Sequence, residues 1–113
     1  MHEMGLCENI LNIALEAAGR NNARKIVKIT VKAGEMRGVV ESQMKFCFGF
    51  MAKDTIAENA ELVIEKVEIS ASCKSCGTRL IIREFNFTCG SCSSSDLEIH
   101  TGKELMVKDI EVD

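Results

Sequence analysis

The chain has no tryptophan and no tyrosine, and five phenylalanines are its only aromatic residues. It therefore lacks most of the side chains on which proteins stack unpaired nucleic-acid bases. Positive charge is not in excess either, since the formal net charge is −3. This argues against a protein whose function is to bind the phosphate backbone of a nucleic acid. There is no Ser-His-Asp set, no phosphate-binding loop and no histidine near a candidate nucleophile, so the sequence does not indicate an enzyme.

Long apolar runs are also missing. No stretch reaches the roughly 18 apolar residues that a membrane-spanning helix needs. The segment Met1 to Glu8 has no basic start and no long apolar run, so we do not expect a signal peptide. The expectation is a cytoplasmic protein with reduced thiols, rather than a secreted disulfide scaffold. Its 113 residues fit one domain, or one small domain carrying a smaller appendage.

What the chain does have is six cysteines, four of them in two Cys-x-x-Cys pairs. Cys73 and Cys76 form the first pair, and Cys89 and Cys92 form the second after twelve intervening residues. Each pair can form a tight turn, or knuckle, with both sulfurs pointing the same way. Two facing knuckles give four thiolates in a tetrahedron, which is the arrangement that Zn²⁺ prefers.

Two glycines accompany these pairs. Gly77 follows the first knuckle and Gly90 lies inside the second, and both are expected to take the positive φ that turns backbone amides toward the sulfurs. The alternatives to zinc are two redox-active pairs, structural disulfides, or a four-sulfur iron centre, since tetrahedral sulfur suits both metals.

The spacing of apolar residues predicts a first amphipathic helix over residues 6–20. Its apolar stripe comprises Leu6, Ile10, Ile13 and Ala17, widened by Leu11, Ala14 and Ala18. Cys7 lies far in sequence from the paired cysteines, so we expect it to pack on this helix as a small hydrophobe.

A second helix is predicted over residues 41–53. Its apolar stripe comprises Met44, Cys47, Phe48 and Met51, broadened by Phe46 and Phe50. Ser42 is the expected cap near its start. A stripe of methionine and phenylalanine could hold a hydrophobic ligand, but helices bury such a face in a core more often.

Strands are predicted on both sides of the cysteine pairs. Residues 25–33 alternate between apolar and polar side chains, as in a half-buried strand. Residues 61–70 form a second strand whose alternation changes phase near Val67, and there we expect the chain to leave the main sheet. Inside the cysteine segment we expect a hairpin of residues 79–83 and 85–88 and a short strand at 97–100. A last strand is predicted over 104–112.

The apolar residues of this last strand need a core that only the first sheet can supply. The predicted fold is therefore α+β: a small three-stranded sheet with two helices, plus an inserted zinc-ribbon-like module. Residues 1–68, completed by 103–113, would form the main domain, and residues 69–102 would form the inserted module.

The first three residues form a second chemical feature. The amine of Met1, the backbone nitrogen of His2 and the imidazole Nδ1 of His2 can close two fused chelate rings on one ion, and the Glu3 amide can complete a square plane. Such nitrogen fields suit Ni²⁺ and Cu²⁺ and not zinc. Protons must leave before the ion binds, so affinity should fall as the pH falls through about 8 to 6.5. Taken alone, a histidine at position 2 is more often a bystander.

Together, several motifs resemble the HypA/HybF family of nickel metallochaperones for [NiFe]-hydrogenase maturation. They are, in order, Met1-His2-Glu3-Met4 with Leu6-Cys7, the strand at residues 25–33 with lysines on its polar face, Phe46-Cys47-Phe48, the two cysteine pairs, and Gly102-x-Glu104-Leu105 leading to Ile110-Glu111-Val112. The resemblance covers essentially the whole chain. The opening Met-His-Glu is its most specific element when it is combined with the four cysteines.

This resemblance implies a protein with two metal sites. Ni²⁺ would bind transiently through Met1, His2 and Glu3, and Zn²⁺ would stay on the four paired cysteines as a structural ion. The resemblance also implies a GTPase partner similar to HypB and delivery to the hydrogenase large subunit or its maturation complex, and some members of the family serve urease. No nucleic acid and no membrane is expected as a partner, and the oligomeric state is left open.

The chain departs from the family at several positions. Gly90 stands where a proline is common, and no histidine adjoins a cysteine, so modulation of the zinc site by such histidines is not expected. His100 is the only histidine besides His2. It is either a surface or hinge residue or a supplementary ligand of the nickel site.

The competing hypothesis for function is a zinc-ribbon adaptor that binds nucleic acid or the transcription apparatus. Arg24, Lys25, Lys28 and Lys32 could form a basic face on the first strand. Such a face is usually the solvated side of a half-buried strand, and the acidic balance of the chain argues against this function.

Overall fold

The structure is a computed structural model that describes residues 3–113. In chain order its helices and strands are α1 (Glu3–Arg20), β1 (Ile26–Gly34), a 3₁₀ turn (Glu35–Arg37), α2 (Glu41–Met51), β2 (Glu61–Val67), β3 (Ile69–Cys73), β4 (Arg79–Ile82), β5 (Leu97–Thr101) and β6 (Leu105–Val112). The strands form two three-stranded sheets, ordered β2-β1-β6 and β4-β3-β5. No helix in the described part of the chain is long and apolar enough to cross a membrane.

The chain divides into two compact units. The first contains the described residues up to Lys32, together with Val39–Glu65 and Leu105–Asp113. The second contains Ala33–Gly38 and Lys66–Glu104. Strands β2 and β6 belong to one sheet although β3, β4 and β5 lie between them in sequence. The predicted α+β fold, with two helices, a small three-stranded sheet and an inserted module, is therefore confirmed.

Helix α1 buries one face in the core of the first unit, where it packs against α2 and β6. Cys7 is fully buried, and its Sγ donates a hydrogen bond to the Met44 carbonyl oxygen at 3.2 Å, as expected of a small core residue. Ile13 was expected on the buried stripe but is 51% exposed. The buried face is centred on Cys7, Ala14 and Ala18, about a third of a turn around the helix from Ile13.

Helix α2 presents a narrower buried face than its composition predicts. Met44 and Phe48 are buried, whereas Phe46 is 79% exposed and Phe50 is 72% exposed. The prediction that these two rings broaden the buried stripe is wrong, because residues two positions from Phe48 lie about 200° around the helix. The predicted cap at Ser42 is also wrong. The N-cap is Val40, and it makes no side-chain capping bond.

Strand β1 is the central strand of the first sheet, between β2 and β6. Ile29, Val31 and Ala33 are buried, as the alternation predicts, but Val27 is 38% exposed while Ile26 is fully buried. Thr30 is also buried, at 8% exposure. The simple alternation fails here because a central strand can be covered on both faces.

The second sheet is built around β3, which pairs antiparallel with β4 on one side and with β5 on the other. The alternation of apolar and polar residues changes phase near Val67 because the chain leaves the first sheet there. Strand β2 ends at Val67, and β3 begins at Ile69 in the other sheet. The strand predicted at residues 97–100 is confirmed as β5. Ile69, Ala71 and Ile82 form the fully buried core of this sheet.

The predicted hairpin between residues 79–83 and 85–88 is wrong. Strand β4 pairs with β3 instead, because that register joins Ile82 to Ile69 and Leu80 to Ala71 in the core. After β4 the chain makes a tight turn in which Glu84 and Phe85 have φ of 54° and 56°. The Asn86 N–H closes this turn on the Arg83 carbonyl oxygen at 3.0 Å.

Two glycines allow a close backbone approach within the second unit. The Gly34 N–H donates to the Glu104 carbonyl oxygen at 2.6 Å, and the Met36 N–H donates to the Gly102 carbonyl oxygen at 2.9 Å. A Cβ atom on Gly34 would collide with the Gly102 carbonyl group. Gly102 itself has a φ of 112°, and a Cβ there would lie 2.8 Å from the Ile69 Cα.

We expect Gly34→Ala to lower the free energy of unfolding by about 2 kcal/mol or more, because backbone atoms and not a flexible side chain must move. The measurement is the thermal unfolding midpoint of the metal-loaded chain. Gly49→Ala is the control: no atom lies within 4 Å of its Cβ, and alanine in a helix should stabilise by up to about 1 kcal/mol. Equal midpoints for Gly34→Ala and the unaltered chain would contradict the predicted collision.

Candidate metal centre

The first knuckle follows β3. The Cys73 N–H donates to the Thr78 carbonyl oxygen and the Gly77 N–H donates to the Cys73 carbonyl oxygen, both at 2.8 Å. Gly77 has a φ of 78°, as predicted from its position after the knuckle. The turn directs the backbone N–H groups of Cys76 and Ser75 toward the Cys73 sulfur.

The second knuckle repeats this backbone pattern. The Cys89 N–H donates to the Ser94 carbonyl oxygen and the Ser93 N–H donates to the Cys89 carbonyl oxygen, again both at 2.8 Å. The residue with positive φ is Ser93, at 63°, and Gly90 is not among the residues with positive φ. The expectation for Gly90 is therefore wrong. The requirement falls on the residue that follows the second cysteine, in the same place as Gly77.

All four sulfur atoms of Cys73, Cys76, Cys89 and Cys92 lie within 4.8 Å of one another. The Sγ atoms of Cys73 and Cys92 are 3.5 Å apart, and those of Cys76 and Cys89 are 3.6 Å apart. Four sulfurs at about 2.3 Å from a tetrahedral zinc ion are about 3.8 Å from each other. The donor set fits zinc, and the distances are far too long for disulfide bonds of about 2.05 Å.

The hydrogen bonds and neighbours of the sulfurs give the cysteine thiols different pKa values. The Thr78 hydroxyl, 3.2 Å from the Cys76 sulfur, and the Thr78 N–H lower the pKa of Cys76 to about 6. The pKa of Cys73 is also lowered, chiefly by the Cys76 N–H. The Ser94 N–H lowers the pKa of Cys92, but contact with the Cys73 sulfur and desolvation outweigh it and raise that pKa to about 12. Four thiolates at this spacing therefore need a cation among them.

Each knuckle contributes one buried and one exposed sulfur-bearing residue. Cys73 and Cys89 are buried, and Cys76 and Cys92 are exposed. No other group of three or more histidine, cysteine, aspartate or glutamate side chains is placed to hold an ion within residues 4–113. The cage is thus attached to β3 through Cys73, while Cys76 and Cys92 are accessible to solvent.

The structure does not place the candidate nickel ligands. Met1 and His2 lie outside the described residues, and so does the side chain of Glu3. His100 lies on β5, where its Nε2 is 2.8 Å from the Ser72 hydroxyl oxygen and its Nδ1 is 3.8 Å from a Glu98 carboxylate oxygen.

Sequence reasoning missed two contributors to this centre, Thr78 and Ser93. Both could have been found by aligning the two pairs with each other. Ser93 follows Cys92 as Gly77 follows Cys76, and Thr78 and Ser94 come next in each turn.

Two helices on a small sheet, with a four-cysteine module inserted before the last strand, define the architecture of a small metal-binding protein. The family model described as "Hydrogenase/urease nickel incorporation, metallochaperone, hypA" matches residues 1–112. The chain therefore belongs to the HypA family, which confirms the resemblance drawn from its motifs.

Individual relatives agree with this assignment. The hydrogenase maturation factor HypA of Desulfatibacillum aliphaticivorans is 41% identical over 113 residues, which cover 99% of this chain and 87% of the relative. That of Alkalilimnicola ehrlichii is 39% identical and both chains are covered in full. The fold is similar to the solution structure of the Ni metallochaperone HypA from Helicobacter pylori, with a TM-score of 0.69 at 24% identity over 99% of this chain and 97% of that one.

We expect Ser93→Gly to raise the free energy of unfolding of the metal-loaded chain by about 1 kcal/mol, because glycine removes the cost of a left-handed residue. Gly77→Ala should lower it by a similar amount or more. The measurement is the thermal unfolding midpoint.

Gly90→Ala is the matched control, because Gly90 has space for a Cβ atom and no positive φ. Its midpoint should be unchanged. A loss of stability on Gly90→Ala as large as that on Gly77→Ala would restore the original expectation for Gly90.

Proposed function

We propose that the chain is a nickel metallochaperone that binds Ni²⁺ at its N-terminus and delivers it for [NiFe]-hydrogenase maturation. The observation that carries this proposal is the match of residues 1–112 to a family described by nickel incorporation. Met1, His2 and Glu3 are the proposed ligands, because an amine, deprotonated amides and an imidazole suit Ni²⁺ in a square plane.

The proposed cargo site and the proposed resident site differ in chemistry. The proposed square-planar site leaves the two axial positions of the ion open, and a partner can take the ion through them. A closed cage of four thiolates has no such position. We therefore assign Zn²⁺ to Cys73, Cys76, Cys89 and Cys92, where it supplies a fixed cross-link between the two knuckles.

The proposal divides the chain by metal. Residues 1–68, completed by 103–113, are the nickel-binding domain, and residues 69–102 are the zinc module. The proposed partners are a HypB-like GTPase and the hydrogenase large subunit or its maturation complex, with urease as a further recipient. The protein would act in the cytoplasm and would catalyse no reaction of its own.

We expect His2→Ala to abolish tight Ni²⁺ binding, because it removes the imidazole donor and one chelate ring. Adding one residue before Met1 should do the same, because it moves the amine out of reach. Isothermal titration of the tag-free, zinc-loaded chain with Ni²⁺ measures the effect, and the electronic spectrum tests for a square plane.

In both variants the zinc content and the thermal unfolding midpoint should stay unchanged, since neither change alters a cysteine of the cage or a residue of the two buried cores. Nickel affinity retained in both variants would refute the N-terminal site, even with the zinc cage intact.

We expect one zinc ion per chain and no visible absorption, whereas a four-sulfur iron centre would be coloured. Cys89→Ser should remove the zinc and unfold the second unit. Cys47→Ser is the matched control, because Cys47 is half-buried on α2 and outside the sulfur cluster. Metal analysis together with thermal unfolding of the two variants makes the comparison. Iron in the purified chain, or equal zinc loss in both variants, would contradict the assignment.

A further inference from the structure

One face of the second sheet carries polar side chains that the cysteine cage does not use. In the register of β3 with its neighbours, Ser72 lies opposite Arg79 on β4 and opposite Glu98 on β5. Directly opposed residues of antiparallel strands share a face, and His100 shares the face of Glu98 because it lies two residues further along β5. The apolar residues Ala71, Leu80 and Ile99 take the other face.

The hydrogen bond with Ser72 holds the His100 ring in a defined direction. Nε2 is 2.8 Å from the Ser72 hydroxyl oxygen, which leaves Nδ1 facing the Glu98 carboxylate at 3.8 Å. That distance is too long for a direct hydrogen bond, which needs about 3.2 Å or less. When Nε2 carries the proton and donates it to Ser72, the Nδ1 lone pair and a carboxylate oxygen face the same gap.

The separation of these two donor atoms matches that of two ligands bound to the same metal ion. Imidazole nitrogen and carboxylate oxygen each lie about 2.0 to 2.2 Å from a bound divalent ion, so two ligands of one ion are about 3.4 Å apart at a tetrahedral angle and about 4.2 Å apart when trans. The observed 3.8 Å lies between these limits. Metal-bound histidine almost always donates its other N–H to a neighbour, and Ser72 is placed to accept it.

We propose that Glu98 and His100 form a second, labile site for a divalent transition ion such as Ni²⁺, with Ser72 as the positioning residue. The side chains of Glu98 and His100 are 61% and 38% exposed, so water can fill the remaining coordination positions and the ion can exchange. Imidazole and carboxylate donors together suit Ni²⁺, Zn²⁺ and Cu²⁺. The site is independent of the N-terminal ligands and does not rest on the proposed function.

The charges around this site set its strength. Arg79 shares the face, and its positive charge opposes a second cation there. Lys74 is 3.9 Å from Asp96, so that lysine is partly neutralised by its own carboxylate. Glu98 is the carboxylate that faces the His100 ring, and removing the charge of Arg79 should strengthen the site.

The test uses the zinc-loaded His2→Ala chain titrated with Ni²⁺ alone. His100 is then the only histidine, so its ring signals can be followed without overlap by NMR. We expect Ni²⁺ to broaden those signals selectively at a concentration that leaves the same signals of the His2→Ala, Glu98→Gln chain sharp. Ser72→Ala should weaken binding by roughly tenfold, and Arg79→Gln should tighten it.

The Glu98→Gln variant distinguishes a site with two protein ligands from Ni²⁺ binding by the His100 imidazole alone. Equal broadening with and without the Glu98 carboxylate would overturn the proposal, because any exposed histidine would then behave alike. Unchanged Ni²⁺ affinity in each of the two single variants, Arg79→Gln and Ser72→Ala, would overturn it as well. Loss of nickel binding at the N-terminus leaves this result untouched, so failure of this site and failure of the proposed function can be told apart.

Discussion

Four cysteine sulfurs within 4.8 Å of one another are the constraint on which the second unit depends. The buried apolar cluster of that unit consists of Ile69, Ala71 and Ile82, with Leu80, Phe87, Leu97 and Ile99 partly buried against it, which is a small core for an independent fold. A cation held by the four sulfurs would cross-link the two knuckles. Without a cation the neighbouring sulfurs raise the pKa of Cys92 to about 12, because thiolate charges at this spacing repel one another, so metal binding would supply part of the folding free energy.

The same unit must also let the chain leave one sheet and return to it. The break at Glu68 starts the insertion, and Ser70 and Thr101 join its two ends through a hydroxyl contact of 2.6 Å. The Thr101 hydroxyl also donates to the Glu68 carbonyl oxygen at 2.8 Å. The chain therefore leaves the second sheet close to the point where it entered it.

Periodicity in the sequence was sufficient for the number and order of the helices and main strands, and for the insertion at the change of phase. It was not sufficient for the faces of the helices. Ile13, Phe46 and Phe50 are apolar and close to the predicted stripes, but which side is buried depends on the neighbouring elements. The false hairpin has the same origin, since the β-forming residues 85–88 carry no information on which strand β4 pairs with.

The knuckles are the opposite case. Aligning the two cysteine pairs identifies the residue of positive φ in each turn, but the presence of a glycine at position 90 led to the wrong residue. Gly90 was the expected residue of positive φ because glycine tolerates that conformation. Hydrogen bonding, however, and not residue type, determines which residue of the knuckle has positive φ. In each turn the N–H four residues after the first cysteine donates to that cysteine's carbonyl oxygen. That bond forces Ser93 into the conformation that Gly77 adopts without cost, so the second knuckle holds the strain and the first does not.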